Sequence, residues 1–594
     1  MNHLSDFKPL ARVELPGIAD LRCSGLTIIV GPNSSGKSQF LKDLYARLSG
    51  DPRKLIVAKE VLLNKPEFGP LMECLKSEGY FDTHLDNAGN EKLRALTTYL
   101  GTGQAIADDF TIDQARTWHK QNAERQDGIN GQPDIFLQRF GRLLVTALFL
   151  ERRLMSLNQV GVIDFQNNPV ANDLHALYLN DNAKKKLSDE LLKSFNKGVW
   201  LDHTQGTVLC FRYSDQPELP SAEDRLSHTK MAQYRTIETE GDGLRSYVAT
   251  AVALLLGRRP ICLIDEPEMC LHPPQAHNLG RFIGVQGSSL DTATFVATHS
   301  SEVLRGALST GKDIQVVRLT RRQGAFQAHL LPAFTLMEAI AKPTVRAESV
   351  LDGIFAESVV VVEAEGDRLL YQTVWETLAD DLRQDVHFTT VGGTGGIPDI
   401  CRLYKALSVP IAVITDLDIL ADPAQLGRVL YVMTTPANAD ALKAEAYRIM
   451  ELIRALPPAV MEAEIRQGLR RILEAPTNWA NWTNDGDIEI RKEINKISQK
   501  LDHLRRLTQT RVSTLPDDIR QAINKLLEDL RIAGVFLVPV GELEDWLANE
   551  NIPESKANKS AWANAAALRI LSKGQCTGDI WDFVRGVDSY LSRQ

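Results

Sequence analysis

Short apolar, β-branched runs recur along this chain, and each stops at a polar or glycine-rich turn that opens a helix-spaced segment. LTIIV (26–30) runs into GPNSSGKS (31–38), after which QFLKDLYARL continues with helical spacing. ICLID (261–265) stops at Asp265-Glu266, and TFVAT (294–298) delivers His299. Further on, VVVV (359–362) ends in Glu363 ahead of a helix opening near Asp367, and HFTT (387–390) enters the turn VGGTGG. VPIAVIT (409–415) ends in Asp416-Leu417-Asp418, and GVFLVPV (534–540) ends in Gly541-Glu542-Leu543-Glu544-Asp545. Runs with so few polar positions suit strands buried on both faces, and their alternation with helices predicts an α/β fold built on parallel sheet. Ligands of open α/β sheets gather at the carboxyl ends of the strands, so the residues closing these runs are the candidate chemistry.

Three stretches break the pattern. Residues 50–200 are mixed, polar and without motifs, and 333–353 reads as a connector. Residues 421–532 are polar and helical, with heptad-like segments at 462–474 and 490–507, which suits either a surface for DNA or a partner, or a plain spacer. The expected division is a first domain over 1–335, a linker over 336–356 and a second domain over 357–594, with the helical stretch inserted in the latter.

Composition changes this little. At 594 residues the chain exceeds what one core usually serves. No apolar run approaches the ~18 residues of a membrane span, and the N-terminus lacks a basic segment followed by an apolar one. The seven cysteines are scattered without a CxxC pair, which argues against a zinc module or a disulfide framework and predicts a reducing, cytoplasmic setting. A net charge of −9 neither favours nor excludes DNA. The basic clusters Arg152-Arg153, Lys184-Lys185-Lys186, Arg258-Arg259 and Arg321-Arg322 read as solvated faces ahead of DNA contacts.

Strand, glycine-rich loop and helix in that order are what a P-loop needs. Gly31 and Gly36 let backbone N–H groups close round phosphates, with Asn33 and Gln39 beside them; Lys37 reaches the β- and γ-phosphates and Ser38 ligates Mg²⁺. Asp265 is placed to hold that Mg²⁺ through water, Glu266 to polarise the attacking water, and His299 to contact the γ-phosphate. In ABC-type ATPases a glycine-rich signature loop opens a helix and offers N–H groups to the nucleotide of a second subunit. EGDGLRSYVATAVALLL (240–256) fits that place, with Gly243 and Gly241 as candidates and Ser246 a further one; a plain helix start is the alternative.

The later strand tips present Glu363, a glycine-rich turn, and the pair Asp416 and Asp418. Carboxylates gathered without basic partners repel one another unless cations sit between them, and all-oxygen sites suit Mg²⁺ or Mn²⁺. Paired ions of that kind stabilise the attacking and leaving oxygens in phosphodiester cleavage.

GPNSSGKS, IDEPEMCLHPPQ (264–275) and ATHS (297–300) resemble the ABC-type ATPase heads of the OLD (overcoming lysogenization defect) and SMC-related group. In such heads the stretch corresponding to 50–200 is a helical insertion that serves dimerisation. The Glu, glycine-rich turn and Asp-x-Asp order is similar to the Toprim domain of OLD nucleases, primases and topoisomerases, except that Ala364 stands where glycine is usual. The resemblance implies metal-binding roles for Glu363, Asp367, Asp416 and Asp418, for Glu544 or else Glu542 in the GELED turn, and for Lys559 or Lys556 as the lysine that assists cleavage. It further implies an ABC/SMC-like ATPase domain followed by a Rossmann-like Toprim domain, a homodimer or higher homo-oligomer, and DNA as the substrate. The function implied is an endonuclease gated by ATP in defence against phage, acting alone or beside a helicase or a retron reverse transcriptase with its small DNA. A non-cutting ATP-gated clamp and a Toprim primase are the rival readings; the second is weakened by the absence of a Cys/His zinc set.

Overall fold

The computed structural model describes the chain apart from residues 1–2, 79–80, 87, 90, 96–109, 122–133, 164–171, 217–218, 222, 258, 332–335, 338–347, 379–381, 383–384, 456–465, 468, 471, 474–493, 495–511, 513–514, 542, 548–549, 551, 555–557 and 575–577. It divides into two compact units, Met1–Ala341 and Lys342–Gln594.

The first unit is built on a six-stranded sheet in the order Ala325–Leu331, Ile314–Arg322, Gly25–Val30, Ala293–Ala297, Ile261–Asp265, Val145–Leu148. Its strands run parallel except for the hairpin formed by the first two. Every position of Gly25–Val30 and Ala293–Ala297 is buried, as apolar runs covered on both faces require. Helix Lys37–Leu48 lays Phe40, Leu41 and Leu44 on Ile29, Leu263, Phe295 and Ala297. The Phe40 and Phe295 rings meet edge to face at 6.2 Å. Pairing of Asp265 with Ala297, and of Ala297 with Ile29, brings the ends of these strands level. A smaller antiparallel sheet, Ile18–Leu21, Leu10–Leu15, Glu60–Leu63, lies beside it in the chain order. Buried Asp43 ties the following segment to the P-loop helix by accepting from the amides of Ile56, Val57 and Ala58.

The stretch read as a helical insertion, 50–200, contributes the edge strand Val145–Leu148 to the main sheet. Val145–Leu148 is the middle of the apolar run LLVTALFL (143–150), whose place at the edge of the main sheet is fixed by pairing with Ile261–Ile264. The remainder includes helices Asp173–Tyr178 and Asp181–Phe195, and the chain continues into the antiparallel pair Gly198–Asp202 and Val208–Ser214. The chain then returns through helix Asp242–Leu256, ended by Gly257 in the left-handed conformation.

The second unit carries a parallel four-stranded sheet in the order Val386–Thr390, Ser358–Val362, Ile411–Thr415, Val535–Leu537. On one face, Val360, Val362, Ala412, Ile414 and Phe536 pack with helices Glu365–Thr377, Lys559–Lys573 and Asp579–Leu591. Helix Ile397–Ala406 buries Ile400, Cys401, Leu403 and Tyr404. The last strand is shorter than GVFLVPV suggests: Val538 N–H still reaches Thr415 O, but Pro539 has no N–H to continue the ladder. Part of the expected connector is structured. Helix Glu348–Asp352 and the turn Gly353–Phe355 bury Val350, Leu351 and Ile354, and Tyr404 Oη donates to Val350 O at 2.5 Å. Within the expected helical insertion, Pro423–Met433, Pro436–Arg454 and Asp517–Ile532 are helices; the heptad-like segments lie for the most part outside the described residues. Among the described residues, no helix is long and apolar enough to cross a membrane.

Candidate functional site

The first unit gathers one set of candidate residues at the carboxyl ends of Gly25–Val30, Ile261–Asp265 and Ala293–Ala297. Gly31 has φ +139°, and a Cβ there would lie 2.0 Å from Leu319 O, so the loop passes too close to the neighbouring strand for any side chain. Lys37 is buried, its Nζ donating to Gly31 O and Pro32 O, both at 2.7 Å. Ser38 Oγ donates to Asp265 Oδ1 at 2.8 Å, which joins the two residues expected to share Mg²⁺; burial raises the Asp265 pKa. Asn33 is exposed, and Gln39 turns its amide to Asp43 Oδ1 at 3.0 Å.

Glu266 follows in the left-handed region at φ +47°, a conformation that costs a non-glycine residue ~1–3 kcal/mol. Its Oε1 lies 3.5 Å from His299 Nε2. Burial, with Lys37 nearby, lowers the His299 pKa to about 4, so the ring is neutral at pH 7. Behind both lies Glu268, whose Oε1 accepts from His299 N at 2.7 Å, while its Oε2 is buried without a partner.

The signature candidates separate. Gly241 is exposed ahead of helix Asp242–Leu256, and Gly243 stands in its first turn, where N–H groups have no intrahelical partner. A Cβ on Gly243 would lie 2.3 Å from Cys270 O, so this glycine also permits close packing within the chain. Ser246, by contrast, is buried on the packed face of the helix, away from solvent. Arg153, read with Arg152 as part of a solvated basic face, is instead fully buried, and its Nη1 donates to Asp265 O at 2.7 Å and its Nη2 to Glu266 O at 3.0 Å. A basic pair on a short helix gives no sign of this; its place one strand away from Asp265 emerges only with the sheet order. Arg259 is likewise buried, where Nη1 donates to Thr146 Oγ1 at 3.0 Å.

In the second unit the strand tips converge again. Glu363 Oε1 accepts from the Thr415 hydroxyl and from Asp416 N, the latter at 3.1 Å, and Glu363 O accepts from Gly393 N of the glycine-rich turn at 2.9 Å. Asp367 sits in the first turn of helix Glu365–Thr377 and accepts from Ala364 N at 2.9 Å. Asp416 lies at the head of the turn Leu417–Ala421, which carries Asp418; Leu417 N bonds to Gly541 O at 3.2 Å, bringing the GELED turn alongside. Glu544 is 3% exposed, and its Oε2 has no hydrogen-bond partner. Lys559 opens helix Lys559–Lys573. Glu542 and Lys556 lie outside the described residues.

These groups feel one another strongly. Burial, then Glu363, Asp367 and Asp418, pushes the Asp416 carboxyl up to about 9. Burial raises Asp367 to about 6, with Glu544 adding to the rise and Lys559 opposing it. Glu363 and Asp418 are raised too, mainly by burial, and Lys559 pulls Asp418 the other way. Among the described residues, no group of three or more His, Cys, Asp or Glu side chains is spaced as these side chains stand to hold a metal ion. The donor set still fits a divalent cation: it is all carboxylate, mutually repelling, and includes a buried oxygen on Glu544 with nothing to bond.

Two family models match parts of the chain. The family model "Overcoming lysogenization defect protein-like, TOPRIM domain" matches residues 354–418. The family model "AAA domain, putative AbiEii toxin, Type IV TA system" matches residues 163–305. No curated protein matches the chain. Among solved structures, an SMC head bound to the C-terminal winged-helix domain of ScpA is 12% identical, with 56% of this chain and 99% of that chain covered at a TM-score of 0.32. The SMC head domain from Thermotoga maritima is 12% identical over 55% of this chain and 97% of that one, with a TM-score of 0.26. The C-terminal region of the Xanthomonas campestris pv. campestris OLD protein is 15% identical over 40% of this chain and 97% of that one, with a TM-score of 0.18.

Proposed function

For a chain that joins an AAA-type ATPase domain to an OLD-like Toprim domain, we propose an ATP-binding, metal-dependent DNA endonuclease that cuts with the carboxylates of its second unit. The observation carrying this reading is the buried convergence of Glu363, Asp367, Asp416 and Asp418 beside Glu544, with Lys559 a cation that acts on the three aspartates. Glu363, Asp367, Asp416, Asp418 and Glu544 would hold the ions. Bound Mg²⁺ or Mn²⁺ supplies charge neutralisation at the attacking and leaving oxygens of a phosphodiester. Thr415 and the Asp416 amide aim Glu363 from the neighbouring strand. Lys559 balances charge on the phosphate being cleaved.

In the first unit, Lys37 exchanges its loop carbonyls for the β- and γ-phosphates, Ser38 and Asp265 hold Mg²⁺, and Glu266 orients water. His299, neutral at pH 7, donates an uncharged N–H toward the γ-phosphate. Gly241, just ahead of the helix, and Gly243, in its first turn, offer amides to the nucleotide of a second copy, so ATP closes a homodimer and thereby gates cutting. The family resemblance extends this to phage defence, for which plaque counts on cells with and without the intact chain are the test.

The direct test is supercoiled plasmid incubated with the protein and Mg²⁺ or Mn²⁺, with and without ATP. Metal-dependent nicking is expected, and the ATP lanes give the sign of the coupling. Retention of plasmid on the protein with no cleavage in any lane would favour the ATP-gated clamp.

A further inference from the structure

Arg153 has the surroundings of a group with a task. It is one of two fully buried arginines among the described residues, with Arg318, and it lies on the short helix Leu150–Met155 that follows the edge strand of the main sheet. Burying a guanidinium is costly unless its donors are used. Two of them are, on consecutive backbone carbonyls: those of Asp265 and Glu266, at 2.7 and 3.0 Å. Between these carbonyls the chain swings into the left-handed region at Glu266, where no glycine relieves the backbone. The peptide is thus pinned on both sides of its strained residue, and Met269 N closes a further bond on Glu266 O at 3.2 Å.

Glu268 completes the arrangement. Its carboxylate is the foremost charge opposing the burial of Arg153, and it also accepts from His299 N at 2.7 Å and from the Thr298 side chain. The His299 ring in turn stands 3.5 Å from Glu266. On the opposite side, Arg245 of helix Asp242–Leu256 donates to Leu154 O at 3.0 Å, so the Arg153 helix is attached to the helix that bears Gly243.

We infer that Arg153 is a positioning residue of the ATP-hydrolysing centre, which holds the Asp265 and Glu266 carbonyls so that the Glu266 carboxylate is fixed opposite His299. Glu266 touches the reacting water; Arg153 acts through it. The inference rests on the reading of Glu266 as the group that activates water. The guanidinium fork is what the task needs, because an ammonium offers no fixed pair of donors for two neighbouring carbonyls.

The test compares ATP turnover, ATP affinity and thermal unfolding for the full chain, Arg153→Lys, Arg153→Gln and Glu266→Gln. Both Arg153 variants are expected to lose up to about 100-fold in kcat, the scale of a catalytic group displaced by about 1 Å. Their affinity for a fluorescent ATP analogue is expected to stay within about threefold of the parent, because Lys37 and Ser38 are untouched and only the hydrolytic step is affected. Unchanged kcat in folded Arg153→Lys and Arg153→Gln, while Glu266→Gln is inactive, overturns the role of Arg153 alone. Full turnover by Glu266→Gln overturns the reading of Glu266 beneath it. A fall in kcat that follows lost ATP binding, or failure of both Arg153 variants to fold, assigns Arg153 to stability and overturns the inference.

Discussion

Replacing Asp416 by asparagine is expected to make the metal-free protein more stable while abolishing its response to metal. Asp416 is a buried carboxyl pushed to about 9 by burial and by Glu363, Asp367 and Asp418, against about 3.9 for an exposed aspartate. An acid with a raised folded value binds more protons folded than unfolded throughout the window from about pH 4 to 9, so stability falls as pH rises through it. At pH 8 about four pH units of that window have been crossed, and at ~1.36 kcal/mol each the ceiling is on the order of 5 kcal/mol. Relaxation and water entry bring the expected gain for Asp416→Asn to about 2–3 kcal/mol. For a unit of this size that corresponds to roughly 5–10 °C in Tm. Thermal unfolding in EDTA from pH 6 to 9 checks this, with the gap widening as pH rises. Addition of Mn²⁺ should then raise the Tm of the parent chain and leave Asp416→Asn unmoved. A variant that melts at or below the parent in EDTA at every pH would refute the idea that these carboxylates are held together against their own repulsion.

Three further outcomes follow from the same geometry. Gly243→Ala would place a Cβ 2.3 Å from Cys270 O; a loss of about 1–3 kcal/mol in chemical denaturation is expected from such overpacking, with a weaker ATP-dependent dimer by light scattering. His299, lowered to about 4 by burial, contributes stability that is complete above its unfolded value near pH 6.5 and lost as pH falls toward 4. A pH titration of unfolding should lose that component in His299→Gln, and a profile identical to the parent's would count against the buried neutral ring. Thr415→Val removes the hydroxyl donor to Glu363; plasmid nicking is expected to fall by about tenfold, the scale of one lost orienting hydrogen bond, with DNA affinity unchanged in a filter-binding assay.

The strands that carry the sites were legible because they are buried on both faces. Gly25–Val30, Ala293–Ala297, Ser358–Val362 and Ile411–Thr415 are runs in which nearly every residue had to be apolar, and the polar residues that end them stand out. The P-loop was legible for a local reason, since its glycines and lysine act within one loop. What could not be read were features defined by distant partners. Val145–Leu148 takes the edge of the main sheet because Ile261–Ile264 pairs with it, and Glu348–Asp352 is packed because Tyr404 covers it. Arg153 is the plainest case: beside Arg152 it reads as surface charge, and its burial is meaningful only once the Glu266 turn lies above it. The convergence of Glu544 with Asp367 likewise needs the GELED turn folded back on the sheet, across the long helical stretch between them.

The central claim is that the carboxylates of the second unit perform the cutting, and one comparison tests it most directly. Plasmid cleavage in Mn²⁺ would be followed for the full chain and for Asp416→Asn, with binding of the same DNA measured in parallel by fluorescence anisotropy. Cleavage by the parent, lost in Asp416→Asn while DNA affinity stays the same, is the predicted result. Equal cleavage by both proteins would contradict it and move the chemistry elsewhere.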